Sequence, residues 1–493
     1  MIAANLPALQ VVLPLLSAPL CVLLGRGRAA WLLATVVSWL ALAIAAALLR
    51  QVLAQGAVHY AFGDWAAPWG IEYVVDGTAA FVLLIVAGIA ATVFPYSLLS
   101  VEKEVDPERQ ALFYAAMLLC LAGLLGIVIT GDAFNLFVLL EISALSTYTL
   151  VSLGQDRRAL TAAYQYLILG TIGATFILIG VGLLYMLTGT LNMADLAERI
   201  EGLHQSRTLQ TAFAFLVVGI GLKLALFPMH LWLPNAYTYA PSAVSALLSA
   251  TATKVAVYVL LRFLFTIFGT WFSFSDMNVD WILIPLALVA TFSMSLVAIF
   301  QNNVKRMLAY SSVAQVAYMT LGIGIVTVTG LTAALLHLFN HALIKGALFL
   351  ALGAVFYRIG SVQLDRMQGI AREMPWTMAA FVLAALSLIG VPMTVGFVSK
   401  WYLILAALEK GWWLVVVLIL ITSLMAVVYL WRVIEAAYFR PRPADREAVS
   451  EAPWGLLLPT WVLALANLYL GIDTDLSVGV AGEAAQRLMG LGP

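Results

Sequence analysis

"GLKLALFPMHLWLPNAY", residues 221–237, places Lys223 five residues before Pro228 inside an otherwise apolar segment. What a cation and a helix breaker do together there depends on what surrounds them. The chain has 493 residues, of which 63% are hydrophobic and only 10% charged. Its mean hydropathy of +1.01 is far outside the range of a soluble domain. Apolar runs of about 20 residues, the length that spans a bilayer core, recur from end to end. Lipid offers the backbone no hydrogen-bond partners, so such runs must be helices. The expected fold is therefore an all-α polytopic membrane protein, with no length left for a soluble domain.

About fourteen transmembrane helices are predicted, at approximately 2–24, 29–49, 78–100, 111–130, 132–153, 159–188, 209–228, 242–268, 281–300, 307–329, 331–357, 375–402, 411–433 and 453–471. The first run has no basic leader and no small-residue cleavage site, and it reads as a retained helix. With the N-terminus outside, the connections expected on the cytoplasmic side hold fifteen basic residues: Arg26, Arg28, Lys103, Arg109, Arg157, Arg158, Lys305, Arg306, Arg358, Arg366, Arg372, Arg432, Arg440, Arg442 and Arg446. The opposite connections hold four, namely Arg50, Arg199, Arg207 and Lys410. That asymmetry orients the chain with both termini outside. The zero formal net charge carries no signal for nucleic acid, because nearly every charge either sets topology or lies inside a span. Cys21 and Cys120 fall in apolar spans, which argues against a disulfide framework.

Three connections are longer than a turn. Residues 50–77 are rich in Gly, Trp and Tyr and suit a folded outer cap; 192–208 have helical spacing along the outer interface; and 434–452, polar and proline-broken, could rest against a partner. Prolines also interrupt two spans in similar surroundings, "KLALFPMHLWLP" (223–234) and "LIGVPMTVGFVSKWYL" (388–403). Paired interruptions five spans apart point to two inverted five-helix repeats with broken helices at mid-depth. The expected organisation is helices 1–3 in 1–110, a first repeat (helices 4–8) in 111–268, a second (helices 9–13) in 281–433, and a cytoplasmic segment with helix 14 in 434–493. Proline is also common in membrane helices for packing reasons alone.

An ionised group at mid-bilayer costs from ~2.5 to above 10 kcal/mol and needs a partner or water. Glu141, Lys223, Lys254 and Lys400 all lie within predicted spans, and "LLHLFNHALIKGALFLALG" (335–353) adds His337, His341 and Lys345 at i, i+4, i+8. That spacing puts the three on one stripe roughly 12 Å long. Burial lowers the proton affinity of a lysine and a nearby carboxylate raises it, so a Glu–Lys pair of changing separation loads and unloads a proton. Histidine passes protons near neutral pH. Glu141 with Lys223 is the expected pair of the first half, Lys254 carries the proton toward the centre, and Lys400 ends the line. Structural readings stand beside these: Lys345 bonded to exposed carbonyls, Lys400 and Arg262 snorkelling to the interface, His230 satisfying backbone at a break, and Asp132 capping a helix. No phosphate loop, dinucleotide fingerprint or cysteine cluster is present. No cofactor and no metal site are expected.

At these residues the chain resembles the antiporter-like proton-translocating subunits shared by respiratory complex I, membrane-bound hydrogenases and Mrp-type multi-subunit cation/proton antiporters, over essentially its whole length. The family pattern of a glutamate in the fifth span, lysines in the seventh and eighth, a His/Lys stripe in the eleventh and a Lys or Glu in the twelfth falls on Glu141, Lys223, Lys254, His337, His341, Lys345 and Lys400. "GDAFNLFVLLEI" (131–142), "TGTLNMADLA" (188–197), residues 233–262 and "GVPMTVGFVSKWYLI" (390–404) most resemble the D-type member of the Mrp antiporters. "LPNAY" (233–237) departs from the wider family's "LPDAH". The resemblance implies fourteen helices with two inverted repeats, partner subunits in a bacterial inner membrane, and protons exchanged for a monovalent cation. The competing expectation is a proton-pumping subunit of a quinone-reducing or hydrogen-evolving complex; a non-conducting scaffold is a third.

Overall fold

The computed structural model describes residues 3–491. It is almost entirely helical. In chain order the elements are α1 (Leu6–Leu24), α2 (Gly27–Gln55), β1 (Val58–Ala61), β2 (Glu72–Val75), α3 (Gly77–Glu104), α4 (Gln110–Ile129), α5 (Ala133–Ser152), α6 (Arg158–Thr188), α7 (Met193–Ile200), α8 (Arg207–Lys223), α9 (Trp232–Tyr239), α10 (Ser242–Ala250) and α11 (Ala252–Leu261). After a stretch of π-helical turns around the short α12 (Gly269–Trp271) come α13 (Asp280–Ile299), α14 (Val304–Gly324), α15 (Val328–Ile359), α16 (Pro375–Ile389), α17 (Val395–Glu409), α18 (Trp413–Ile434), α19 (Trp454–Ile472) and α20 (Asp475–Leu488).

Among the described residues, eleven helices are long and apolar enough to cross a membrane. The other three predicted positions also hold helix, but differently. The seventh is split into α8 and α9, and the twelfth into α16 and α17. The tenth, α14, is continuous and carries more polar side chains. Side-chain caps satisfy the first free amides of several helices, as helix starts require: Asp76 accepts from the Ala79 amide, Asp132 from Asn135, Asn303 from Arg306 and Thr327 from Gly330. Asp132 thus has the capping geometry.

At the centre runs α15, whose 32 residues pack against α3, α10, α14, α16, α17, α19 and α20. Because it meets protein on all sides, its polar residues face neighbouring helices. The predicted outer cap contains a hairpin, with β1 antiparallel to β2 and Val58 opposite Val75. Segment 192–208 is helical over α7 and again from Arg207, where α8 begins.

Segment 434–452 is held against the bundle by contacts within the chain. Glu373 meets Arg442 and Arg446, each at 3.2 Å, and Arg366 meets Asp445 at 2.5 Å. Glu451 accepts from the Trp376 amide at 2.7 Å and the Thr377 hydroxyl at 2.6 Å, covering the N-terminus of α16. Arg262 is likewise not a snorkelling residue. It is buried and its guanidinium lies 2.5 Å from Asp76, because a carboxylate at the start of α3 is within reach and lipid-facing exposure is not.

Candidate functional site

The seventh span breaks immediately after Lys223. The chain leaves helical geometry there, with Ala225 at φ +58°, and resumes at Trp232. The freed carbonyls find other donors: Trp232 Nε1 donates to Leu222 O at 2.9 Å and the Leu226 amide to Gly221 O at 2.8 Å. Tyr237, one of the departures from the family signature, is fully buried and donates to Leu248 O at 3.1 Å, which ties α9 to α10. Asn235, the other, donates to Gln165 at 2.8 Å.

Lys223 Nζ donates to Glu141 Oε1 at 3.0 Å. Glu141 is nine residues into α5, close to mid-depth, and 24% of its side chain is exposed against 9% for Lys223. On its other side Lys223 borders a cavity of about 40 Å³ shared with Thr147, Tyr166, Ala252 and Val255. That volume exceeds the ~10–15 Å³ one water requires, and polar groups line it.

The eighth span, expected to be continuous, is kinked at Thr251 (φ −126°, ψ −57°) between α10 and α11. Neither proline nor glycine marks this kink; the dense hydroxyls of "SATAT" (249–253) are its only sequence signal. Lys254, fully buried, donates to the Ser249 carbonyl and lies 3.4 Å from Thr253 Oγ1. The interruption therefore gives a buried ammonium its acceptors.

Along α15, His337 and His341 stack with ring centroids 6.1 Å apart. The Nε2 of His337 lies 3.0 Å from Gln315 Oε1 and its Nδ1 2.9 Å from Ser399 Oγ. Neither nitrogen of His341 has a protein partner, and this buried ring interacts electrostatically with Lys254, Lys345 and His337. Lys345 donates to Leu308 O at 2.7 Å and to the Ser311 hydroxyl. Gln315, Ser399, Leu308 and Ser311 carried no distinguishing sequence signal.

The twelfth span breaks between Ile389 and Val395, with Gly390 at φ +93° and Met393 at φ +71°. Lys400 Nζ turns back to two carbonyls freed there, Leu388 O at 3.0 Å and Ile389 O at 2.8 Å. Its ammonium also sits 5.7 Å over the Tyr318 ring, and its charge reaches His337. Of the sequence-derived residues, Glu141 and Lys223 are thus in direct contact. Lys254 on α11, His337, His341 and Lys345 on α15 and Lys400 on α17 lie on helices that pack against one another. Among the described residues, no group of three or more His, Cys, Asp or Glu side chains is arranged to hold a metal ion.

A bundle of apolar helices with buried ionisable side chains seated at three helix interruptions defines a polytopic membrane protein built to keep charge in its interior. The chain belongs to the NADH:quinone oxidoreductase/Mrp antiporter transmembrane family, whose profile matches residues 130–426. It is 43% identical to the N subunit of the NADH-quinone oxidoreductase of Desulforudis audaxviator, over 96% of each chain. It is 30% identical to the D subunit of the Na(+)/H(+) antiporter of Bacillus subtilis, over 98% of this chain and 97% of that one. A chain in the structure of the Mrp complex from Dietzia sp. superposes with a TM-score of 0.90 at 26% identity, covering 99% of this chain and 98% of that one.

Proposed function

We propose that this chain is the proton-translocating subunit of a multi-subunit monovalent cation/proton antiporter in a bacterial inner membrane, with both termini outside. Protons move along Glu141, Lys223, Lys254, His341, His337 and Lys400, with Lys345 biasing the row electrostatically. The two repeats, 111–268 and 281–433, are related by inversion, and each supplies one of the proline-marked breaks.

The observation that carries this reading is the 3.0 Å Glu141–Lys223 pair at a helix interruption. A rigid structural bridge gains little there, since burying two charges offsets most of their attraction. A pair beside a water-sized cavity can instead separate and exchange a proton. The uncovered part of Glu141 supports a neighbouring subunit on that face. Phe134, Val138 and Leu145 are exposed beside it, and a carboxylate one-quarter exposed at mid-depth is unfavourable against lipid.

A second reading, a proton-pumping subunit of a quinone-reducing complex, is favoured by the 43% identity to a chain bearing that name. The deciding experiment is reconstitution of the assembled complex in vesicles, with internal pH followed on addition of Na⁺ or K⁺. Proton movement driven by either cation supports the antiporter. Movement only when a quinone is being reduced supports the second reading.

A further inference from the structure

A buried carboxylate and a buried lysine also come together outside the row above, at the end of the bundle that carries Arg158 and Arg306. Glu104, the last residue of α3, and Lys305, in the first turn of α14, are 6% and 3% exposed. Neither stood out in the sequence, since "VEKEVDPER" (101–109) and "NNVKRM" (302–307) read as topology-setting connections. One carboxylate oxygen of Glu104 accepts from the Ser100 hydroxyl at 2.6 Å. The other accepts from the amide and hydroxyl of Ser242 at 2.9 and 3.1 Å. Lys305 Nζ donates to the same Ser242 oxygen at 3.2 Å and sits 5.2 Å over the Phe356 ring. One hydroxyl thus joins a carboxylate and an ammonium from three helices.

Both groups line a cavity of about 420 Å³, bordered also by Gln155, Arg158, Arg306 and Gln363. At about 30 Å³ per water it has room for on the order of ten waters, and Glu104 lies on its wall. Beyond Ser242, α10 carries Ser245 and Ser249 on the same face at i+3 and i+7, all fully buried. Lys254 donates to the Ser249 carbonyl. The distance from Ser242 to Lys254 along the span is roughly 18 Å.

We propose that this cavity is the proton-uptake vestibule of the chain, with Glu104 as the group that takes a proton from its water and the hydroxyl face of α10 as the path to Lys254. Lys305 occupies a lone pair of Ser242 Oγ, which turns that hydroxyl's hydrogen toward Glu104. The carboxylate accepts one proton from a hydronium in the vestibule and returns it to water and hydroxyls along α10; no other bond changes. The inference rests on the proton-translocation reading.

The test uses the assembled complex in vesicles with this face accessible. Glu104→Gln keeps a side-chain oxygen for the Ser242 amide but accepts no proton, and it should lower cation-driven proton movement at least about tenfold, with Glu104→Asp recovering part of it. Gln363→Cys, at the cavity wall, should lose its own transport when a bulky membrane-impermeant thiol reagent is added from this side. Lys223→Ala serves as the reference. Full transport in Glu104→Gln while Lys223→Ala is inactive overturns the vestibule alone; full transport in Lys223→Ala overturns the parent reading. If Glu104→Gln fails to assemble, the thiol reagent decides: unchanged transport after complete labelling of Gln363→Cys overturns the proposal.

Discussion

Arg262 donates to Asp76 at 2.5 Å across 186 residues of sequence, and its Nε donates to the Tyr258 hydroxyl at 2.7 Å. Tyr258 in turn donates to Val128 O at 2.6 Å. The start of α3, the end of α4 and the end of α11 are therefore held by one guanidinium.

Removing the carboxylate would strand a buried cation. Asp76→Asn keeps the α3 cap but loses the charge, and should destabilise the protein by roughly 3 kcal/mol, read as a lower unfolding temperature in detergent. Burial pushes the Asp76 carboxyl up, but Arg262 outweighs it and holds it below the usual carboxylate range. Its contribution is therefore full above about pH 4 and is lost as pH falls through the depressed value. An Asp76→Asn protein as stable as wild type at neutral pH would show that the bridge contributes nothing.

The strap 440–452 makes a proteolytic prediction. Glu373 holds both Arg442 and Arg446 and is itself largely covered, so Glu373→Ala should free the trypsin site after Arg446, the one of the two not followed by proline. Limited digestion with trypsin from the side bearing this segment should cut at least several-fold faster after Arg446 than in wild type, since local opening governs cleavage. Equal rates would mean that the strap is held elsewhere.

Gly396 tests the break in the twelfth span. A Cβ there would lie 1.7 Å from the Ser387 carbonyl oxygen, backbone that has no room to yield. Gly396→Ala should separate α16 from α17 and sharply lower the yield of assembled protein. Normal assembly would contradict the observed packing at this crossing.

Lys400 distinguishes a relay from a clamp. Its ammonium bonds two carbonyls left free by the break, which a purely structural lysine would also do. Arginine can make those bonds but does not deprotonate. Lys400→Arg should therefore assemble yet lose cation-driven proton movement by on the order of 100-fold. Retained transport would assign Lys400 to structure.

The legible part of this architecture was the part that lipid dictates. Apolar runs gave the helices, and Pro228 and Pro392 marked the seventh- and twelfth-span interruptions, because proline removes an amide. Glu141, Lys223, Lys254 and Lys400 stood out because charge is expensive inside a span. The kink at Thr251 was hidden, since hydroxyls compete for backbone without any helix breaker. Arg262 was misread because its partner, Asp76, is remote in sequence. Glu104 and Lys305 were hidden for the opposite reason: they sit among connection charges, and only the packing of α3, α10 and α14 buries them. The partners of His337 on α14 and α17 are likewise tertiary.

The central claim is that Glu141 and Lys223 exchange a proton. Its most direct test measures cation-driven pH change in vesicles holding the assembled complex with Glu141→Gln or Lys223→Ala. Each variant should assemble and lose coupled proton movement by on the order of 100-fold or more; full transport by either assembled variant would contradict the account.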